Sequence, residues 1–231
     1  MLGIDPLYIM MLLPALLLSG IATLVTRATF NKYSKKMTSS GVTGAQAAQR
    51  LLNSHGVYDV NIEPVQGFLS DHYDPRTKTL RLSPDVYASQ SLSAIGVACH
   101  EAGHALQHAA SYAPLVLRTA LVPVAQVGSH ASYILILLGS FMASMGMIKL
   151  GIVLFSCTVL FTLVTLPVEW NASSRAKALM VSSGVVTAAE RRSAGAVLNA
   201  AFMTYLAAAL TALITLVYYL MRAGLIGGRR D

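Results

Sequence analysis

Four stretches of this chain, Leu7–Thr26, Leu121–Met142, Leu150–Pro167 and Met203–Met221, contain no Lys, Arg, Asp or Glu. Each approaches the roughly 20 apolar residues that a helix needs to cross the hydrocarbon core of a bilayer. Composition agrees, since only 12% of the 231 residues are charged where a soluble domain carries about 25%. Four transmembrane helices are expected. The first run has no basic segment ahead of it and no clear small-x-small cleavage site after it, so it reads as a retained anchor and not as a signal peptide.

The formal net charge of +7 raises nucleic acid as a partner. The basic residues, however, flank the apolar runs and form no patch interleaved with aromatics, so no nucleic acid is expected. Their distribution bears on orientation instead. Nine Lys or Arg fall between Arg27 and Arg118 and four between Arg175 and Arg192, whereas Lys149 stands alone between the second and third runs. By the positive-inside rule both polar segments face the cytoplasm of a multi-pass cell-membrane protein; Arg222, Arg229 and Arg230 pull the other way. Arg27, Lys32, Lys35 and Lys36 form a basic collar suited to anionic headgroups. Cys99 and Cys157 sit in apolar surroundings and build no disulfide framework.

Between the first two runs the pattern changes. Thr43 is a candidate cap for a short amphipathic helix that stops near Asn53 to Gly56, with His55 as a turn residue. Val60, Ile62 and Val65, then Leu80 and Leu82 after a break at Gly67, follow a period of two and predict a small sheet. Asp71-His72-Tyr73-Asp74-Pro75 reads as the turn between its strands. An edge of such a sheet can hold an extended peptide through main-chain hydrogen bonds. Ser83-Pro84-Asp85 has the chemistry of a cap, a first-turn proline and an acid at the positive helix end, and a second helix is expected from about Ser91 to Ala110.

That helix carries His100-Glu101-Ala102-Gly103-His104. Imidazoles at i and i+4 share one face, so both rings can reach one ion, with Glu101 beside them. A shuffled chain of this composition would contain about 0.003 such matches. Zinc accepts imidazole nitrogen and keeps an open position for water in catalytic sites, but it needs a third protein ligand. His108 lies about 12 Å along the axis from His100, too far to share an ion bound at ~2.1 Å, and position 110, where a longer motif places another His, is Ala. Glu169, the only acid between Glu101 and Glu190, follows the third apolar run by two residues and would complete a site of two His and one Glu. His72 or Tyr73 are candidate donors to an oxyanion, and His108 is read as supporting the site or as core. His130 and Arg118 enter or flank the second run; a neutral His130 with a helix partner is the ordinary reading. Thr187 to Glu190 fits a capping box for the last helix.

Asp71-His72-Tyr73-Asp74-Pro75, Leu80-Arg81-Leu82-Ser83, His100-Glu101-Ala102-Gly103-His104-Ala105, Leu166-Pro167-Val168-Glu169-Trp170-Asn171-Ala172-Ser173 and Leu198-Asn199-Ala200-Ala201 together resemble the YugP-like family of bacterial membrane-bound neutral zinc metallopeptidases. The resemblance runs from the first span to the fourth. It implies zinc (Zn2+) as cofactor at His100, His104 and Glu169, as in the glutamate-ligand zincins. Those relatives place an Asp four residues after the ligand Glu; here that position is Ser173, so the role of that Asp does not carry over directly, Asn171 or Arg175 is the candidate replacement, and Ser173 is read with them as supporting the site.

The expected protein is mainly α, with about four transmembrane helices and a small α+β zincin-like catalytic domain between the first and second spans. Its parts are a first span at 1–26, a membrane-adjacent catalytic domain at 27–117, spans at 118–143 and 148–167, a polar segment at 168–201 with the third ligand, a fourth span at 202–222 and a tail at 223–231. The expected activity is metal-assisted hydrolysis of peptide bonds in membrane or membrane-proximal proteins, with Glu101 as the base; partners are a protein or peptide substrate and the bilayer. A metal transporter or an inactive zinc-stabilised scaffold are the competing readings. Transporter sites lie near the bilayer midplane, whereas these ligands fall at the margins of the spans.

Overall fold

The computed structural model describes residues 6–67 and 70–227; the end of the tail, with Arg229 and Arg230, lies outside them. In chain order the elements are α1 Pro6–Tyr33, α2 Gly44–Asn53, β1 Asn61–Pro64, β2 His72–Asp74, β3 Thr79–Leu82, α3 Pro84–Tyr87, α4 Leu92–Ala109, α5 Ala113–Phe141, α6 Met145–Ser182 and α7 Arg191–Arg222. Four of these, α1, α5, α6 and α7, are long and apolar enough to cross a membrane. Helices are the expected solution there, because a lipid-exposed backbone has to satisfy its N–H and C=O groups within its own segment.

The described residues divide into two compact units. One draws on residues up to Ala22, Val116–Leu166 and those from Thr204 on; the other draws on Thr23–Leu115 and Pro167–Met203. In the first, small residues set the helix spacing, as expected where lipid removes the hydrophobic drive for association. A side chain at Gly151 would meet Ile136 at 2.7 Å, and one at Gly128 would meet the Leu154 carbonyl at 3.1 Å. Val127, Leu137 and Phe141 point outward, the arrangement a lipid-facing surface requires. His130 donates to the Gln126 carbonyl at 3.0 Å, which satisfies the ring within its own helix.

The second unit holds His100, Glu101, His104 and Glu169. It is wider than the 27–117 segment read from the sequence, since α6 beyond Pro167 and the first turns of α7 complete its core. Thr43 caps α2 in a reciprocal box with Gln46, and Ser91 accepts from the Ala94 N–H to start α4. At the entry to α7, Thr187 and Glu190 exchange bonds in the same way, and Glu190 also takes the Ser39 N–H at 2.7 Å. Helix α4 is buried on nearly every side. Two of its glycines make that possible: a Cβ at Gly96 would lie 2.6 Å from the Ala194 carbonyl on α7, and one at Gly103 2.8 Å from the Ala172 carbonyl on α6. Gly103 thus lets the backbone of the metal motif approach α6 closely.

The sheet corrects one reading. Asp71 to Pro75 is not a turn: His72–Asp74 forms β2, antiparallel to β3, while β1 pairs with β3 in parallel, in the order β1-β3-β2. Two carboxylates account for the shift. Asp71 takes the Ser83 N–H at 2.8 Å and so ties the start of β2 to the end of β3. Asp74 accepts from the Arg76 N–H at 3.0 Å, which delays the turn to Pro75–Lys78. Ser83 correspondingly does not use its hydroxyl as a cap, because that hydroxyl is bound to Asp71.

Candidate metal centre

Three side chains from two helices of the second unit converge. His100 and His104 come from successive turns of α4 and Glu169 from α6, and one donor atom of each lies within 4.8 Å of the others. His100 Nε2 is 3.1 Å and His104 Nε2 3.6 Å from the same carboxylate oxygen, Oε2 of Glu169. Ligands at about 2.0–2.2 Å in a tetrahedral arrangement are roughly 3.4 Å apart, so these separations suit a single zinc ion. Glu169 is only 2% exposed. A carboxylate so deeply buried is costly unless a cation or good donors compensate it.

The hydrogen bonds behind the rings show that a cation fits. The Val168 carbonyl can only accept, so Gln107 presents its NH2 group to it at 2.8 Å. The Gln107 carbonyl oxygen is then left for His104 Nδ1 at 2.9 Å, and that nitrogen must donate. His104 Nε2 therefore carries a lone pair when the ring is neutral, and it faces a carboxylate oxygen. Two lone-pair atoms at that distance repel unless a proton or a metal ion lies between them. Burial alone would favour the neutral ring, but the Glu169 carboxylate, assisted by Glu101, overrides it and holds the His104 pKa above its ordinary value. Behind His100, the Ser173 hydroxyl meets Nδ1 at 3.1 Å.

Glu101 stands apart from the three donors. It is 9% exposed, and among the described residues no hydrogen bond or ion pair engages its carboxylate. Asp71, whose pKa is raised chiefly by burial, is close enough to feel its charge. The other residues singled out by sequence are spread around this core. Asn171 accepts from both Gln107 and Arg175, at 3.0 and 2.8 Å, so Arg175 reaches the site through two intermediaries. Tyr73 and His108 bond each other at 2.9 Å. Burial pushes the Tyr73 hydroxyl up to about 12, so it keeps its proton at neutral pH. His72 is exposed on the edge strand and bonds to the Ser70 carbonyl at 2.8 Å.

Gln107 joins this cluster, bonded to His104, Val168 and Asn171, although no sequence motif singles it out. Its only local signal is position: it falls three residues after His104 and seven after His100, a polar side chain on the metal face of a buried helix. Groups that orient metal-bound imidazoles commonly matter about 10–100-fold for metal affinity. Gln107→Ala is expected to weaken zinc binding by that factor in a chelator competition, with α-helical circular dichroism retained. Affinity unchanged within twofold would show that His104 keeps its orientation without this bond.

A family described as "Putative neutral zinc metallopeptidase" matches residues 8–224. The "Putative membrane protease YugP" of Bacillus subtilis (strain 168) is 49% identical over 215 residues, covering 93% of this chain and 96% of that protein. No solved structure matches.

Proposed function

The chain belongs to the neutral zinc metallopeptidase family, and from that premise we propose that it is a membrane zinc endopeptidase whose metal is held by His100, His104 and Glu169. The convergence of those three donors beside an uncommitted Glu101 carries the reading. When bound, zinc supplies Lewis acidity toward the scissile carbonyl and an attacking water. Glu101 accepts the proton of that water and delivers it to the leaving amine. Gln107 and Ser173 hold the two rings with their Nε2 atoms inward. Strand β2 is an edge of the sheet in contact with α4, and it binds an extended substrate by strand addition, with little demand on its sequence.

Substrates are loops or ends of membrane proteins close to the bilayer, because Glu169 follows a charge-free run by only two residues. The excess of Lys and Arg in the polar segments favours a site on the cytoplasmic face. A direct test uses the purified full chain. Cleavage of an unfolded protein such as casein is expected to stop on treatment with a zinc chelator and to return with added zinc. Activity that survives complete zinc removal would overturn the reading, and zinc flux into vesicles without cleavage would favour a transporter.

A further inference from the structure

The flank of α6 beside its buried stripe carries a second arrangement. Val168, Glu169, Ala172, Ser173, Ala176 and Met180 are buried, whereas Trp170 is 57% exposed and Lys177 follows it by seven residues, two turns along the same stripe. Lys177 is held in place. Its stem crosses α7 over Gly195, where a Cβ would lie 3.0 and 3.1 Å from the Lys177 Cδ and Cγ. Its ammonium donates to Asn199 Oδ1 at 2.9 Å and stands 5.6 Å from the centre of the Trp170 ring, which packs edge-on against Phe202 at 5.2 Å.

A half-buried lysine at the surface normally keeps much of its rotamer freedom, and fixing it costs entropy. Here that cost is met with no carboxylate in return. Arg191 acts on Lys177 electrostatically, and Arg192 follows Arg191 in the chain. The neighbouring acid, Glu190, is taken up by Ser39 and Thr187. Among the described residues no acid pairs with Lys177, Arg191 or Arg192.

We propose that Lys177, Arg191 and Asn199, walled by Trp170, bind the phosphate of an anionic phospholipid headgroup. The Lys177 ammonium has three N–H donors and gives one to Asn199, leaving two for phosphate oxygens, and the Arg191 guanidinium adds a planar fork. A lipid is favoured over a free anion by the aromatic wall. Trp170 comes three residues after the charge-free run that ends at Pro167, where tryptophan characteristically meets the headgroup region with basic residues beside it.

Trp170 is the chain's one tryptophan, so its fluorescence reports on this place alone. The full chain is placed in nanodiscs of phosphatidylcholine, with or without phosphatidylglycerol, and zinc content is measured as a check on folding. Phosphatidylglycerol is expected to shift and quench Trp170 emission in the wild type. The response should be lost in Lys177→Gln and kept in Lys177→Arg, and inorganic phosphate added to phosphatidylcholine discs should not reproduce it. If Lys177→Gln fails to hold zinc, Arg191→Gln carries the test and must weaken the response. Equal responses in wild type and variant, or none to phosphatidylglycerol, would overturn the proposal; a full response to inorganic phosphate would assign the site to a free anion instead.

Discussion

Glu101→Gln is expected to leave zinc bound and to slow peptide hydrolysis by about 10²–10⁴-fold, the usual weight of a positioned proton-transfer group. The substitution keeps the volume of the side chain and removes its ability to take a proton. Zinc retention is expected because Glu101 is not among the three converging donors and because its carboxylate supports no hydrogen bond or ion pair among the described residues. Folding should also survive: the side chain stays on the buried α4 without a partner to lose. The discriminating measurement pairs zinc content with cleavage of an unfolded substrate. A wild-type rate would remove Glu101 from the chemistry. Loss of zinc would move it into the metal's own shell. The zinc-loaded, slow variant would also serve to trap substrates from membranes, since the edge strand β2 and the three metal donors are untouched.

What could be read from the sequence divides by range. The apolar runs are local, and all four appear as helices α1, α5, α6 and α7. Caps are local too: Thr43 and the Thr187–Glu190 box each show their signal within three residues and each forms, whereas the Ser83 hydroxyl, which also has the chemistry of a cap, is bound to Asp71 instead. Glu169 was approachable for a different reason. Its partner His100 is 69 residues away in sequence, but an acid so isolated in an apolar context has few structural uses. By contrast β2 has three residues and the composition of a turn. Its strand character comes from Asp71 reaching Ser83 and from pairing with β3, contacts that no period within the segment announces. Gln107 and the Lys177 seat belong to the same class. One depends on the Val168 carbonyl of another helix, the other on a glycine of α7, so neither leaves a mark near itself in the chain.

Glu169→Ala is expected to reduce zinc affinity by more than the roughly 100-fold upper end associated with groups that merely orient ligands, and to abolish hydrolysis with it. The stability of the variant separates this outcome from simple misfolding. In the wild type without metal, a carboxylate that is 2% exposed faces two imidazoles at 3.1 and 3.6 Å. Removing it relieves the desolvation of a buried charge but also breaks its bonds to two imidazoles, a loss of about 3–5 kcal/mol for a buried pair, so the metal-free variant should melt somewhat below the metal-free wild type while remaining folded. The difference should appear on adding zinc. At a free concentration about 1,000 times the dissociation constant, a ligand that binds only the folded state contributes about 4 kcal/mol, and for a chain of this size each kcal/mol moves the melting midpoint by roughly 2–4 °C. The wild type should therefore gain on the order of 10 °C from zinc, while Glu169→Ala at the same zinc concentration gains almost nothing. Glu169→Gln, which restores the volume without the charge, controls for packing and should behave like the alanine variant. If either variant keeps the full zinc-dependent gain, the third ligand is another residue, and the approach of α6 to α4 through Gly103 and Ala172 serves packing alone.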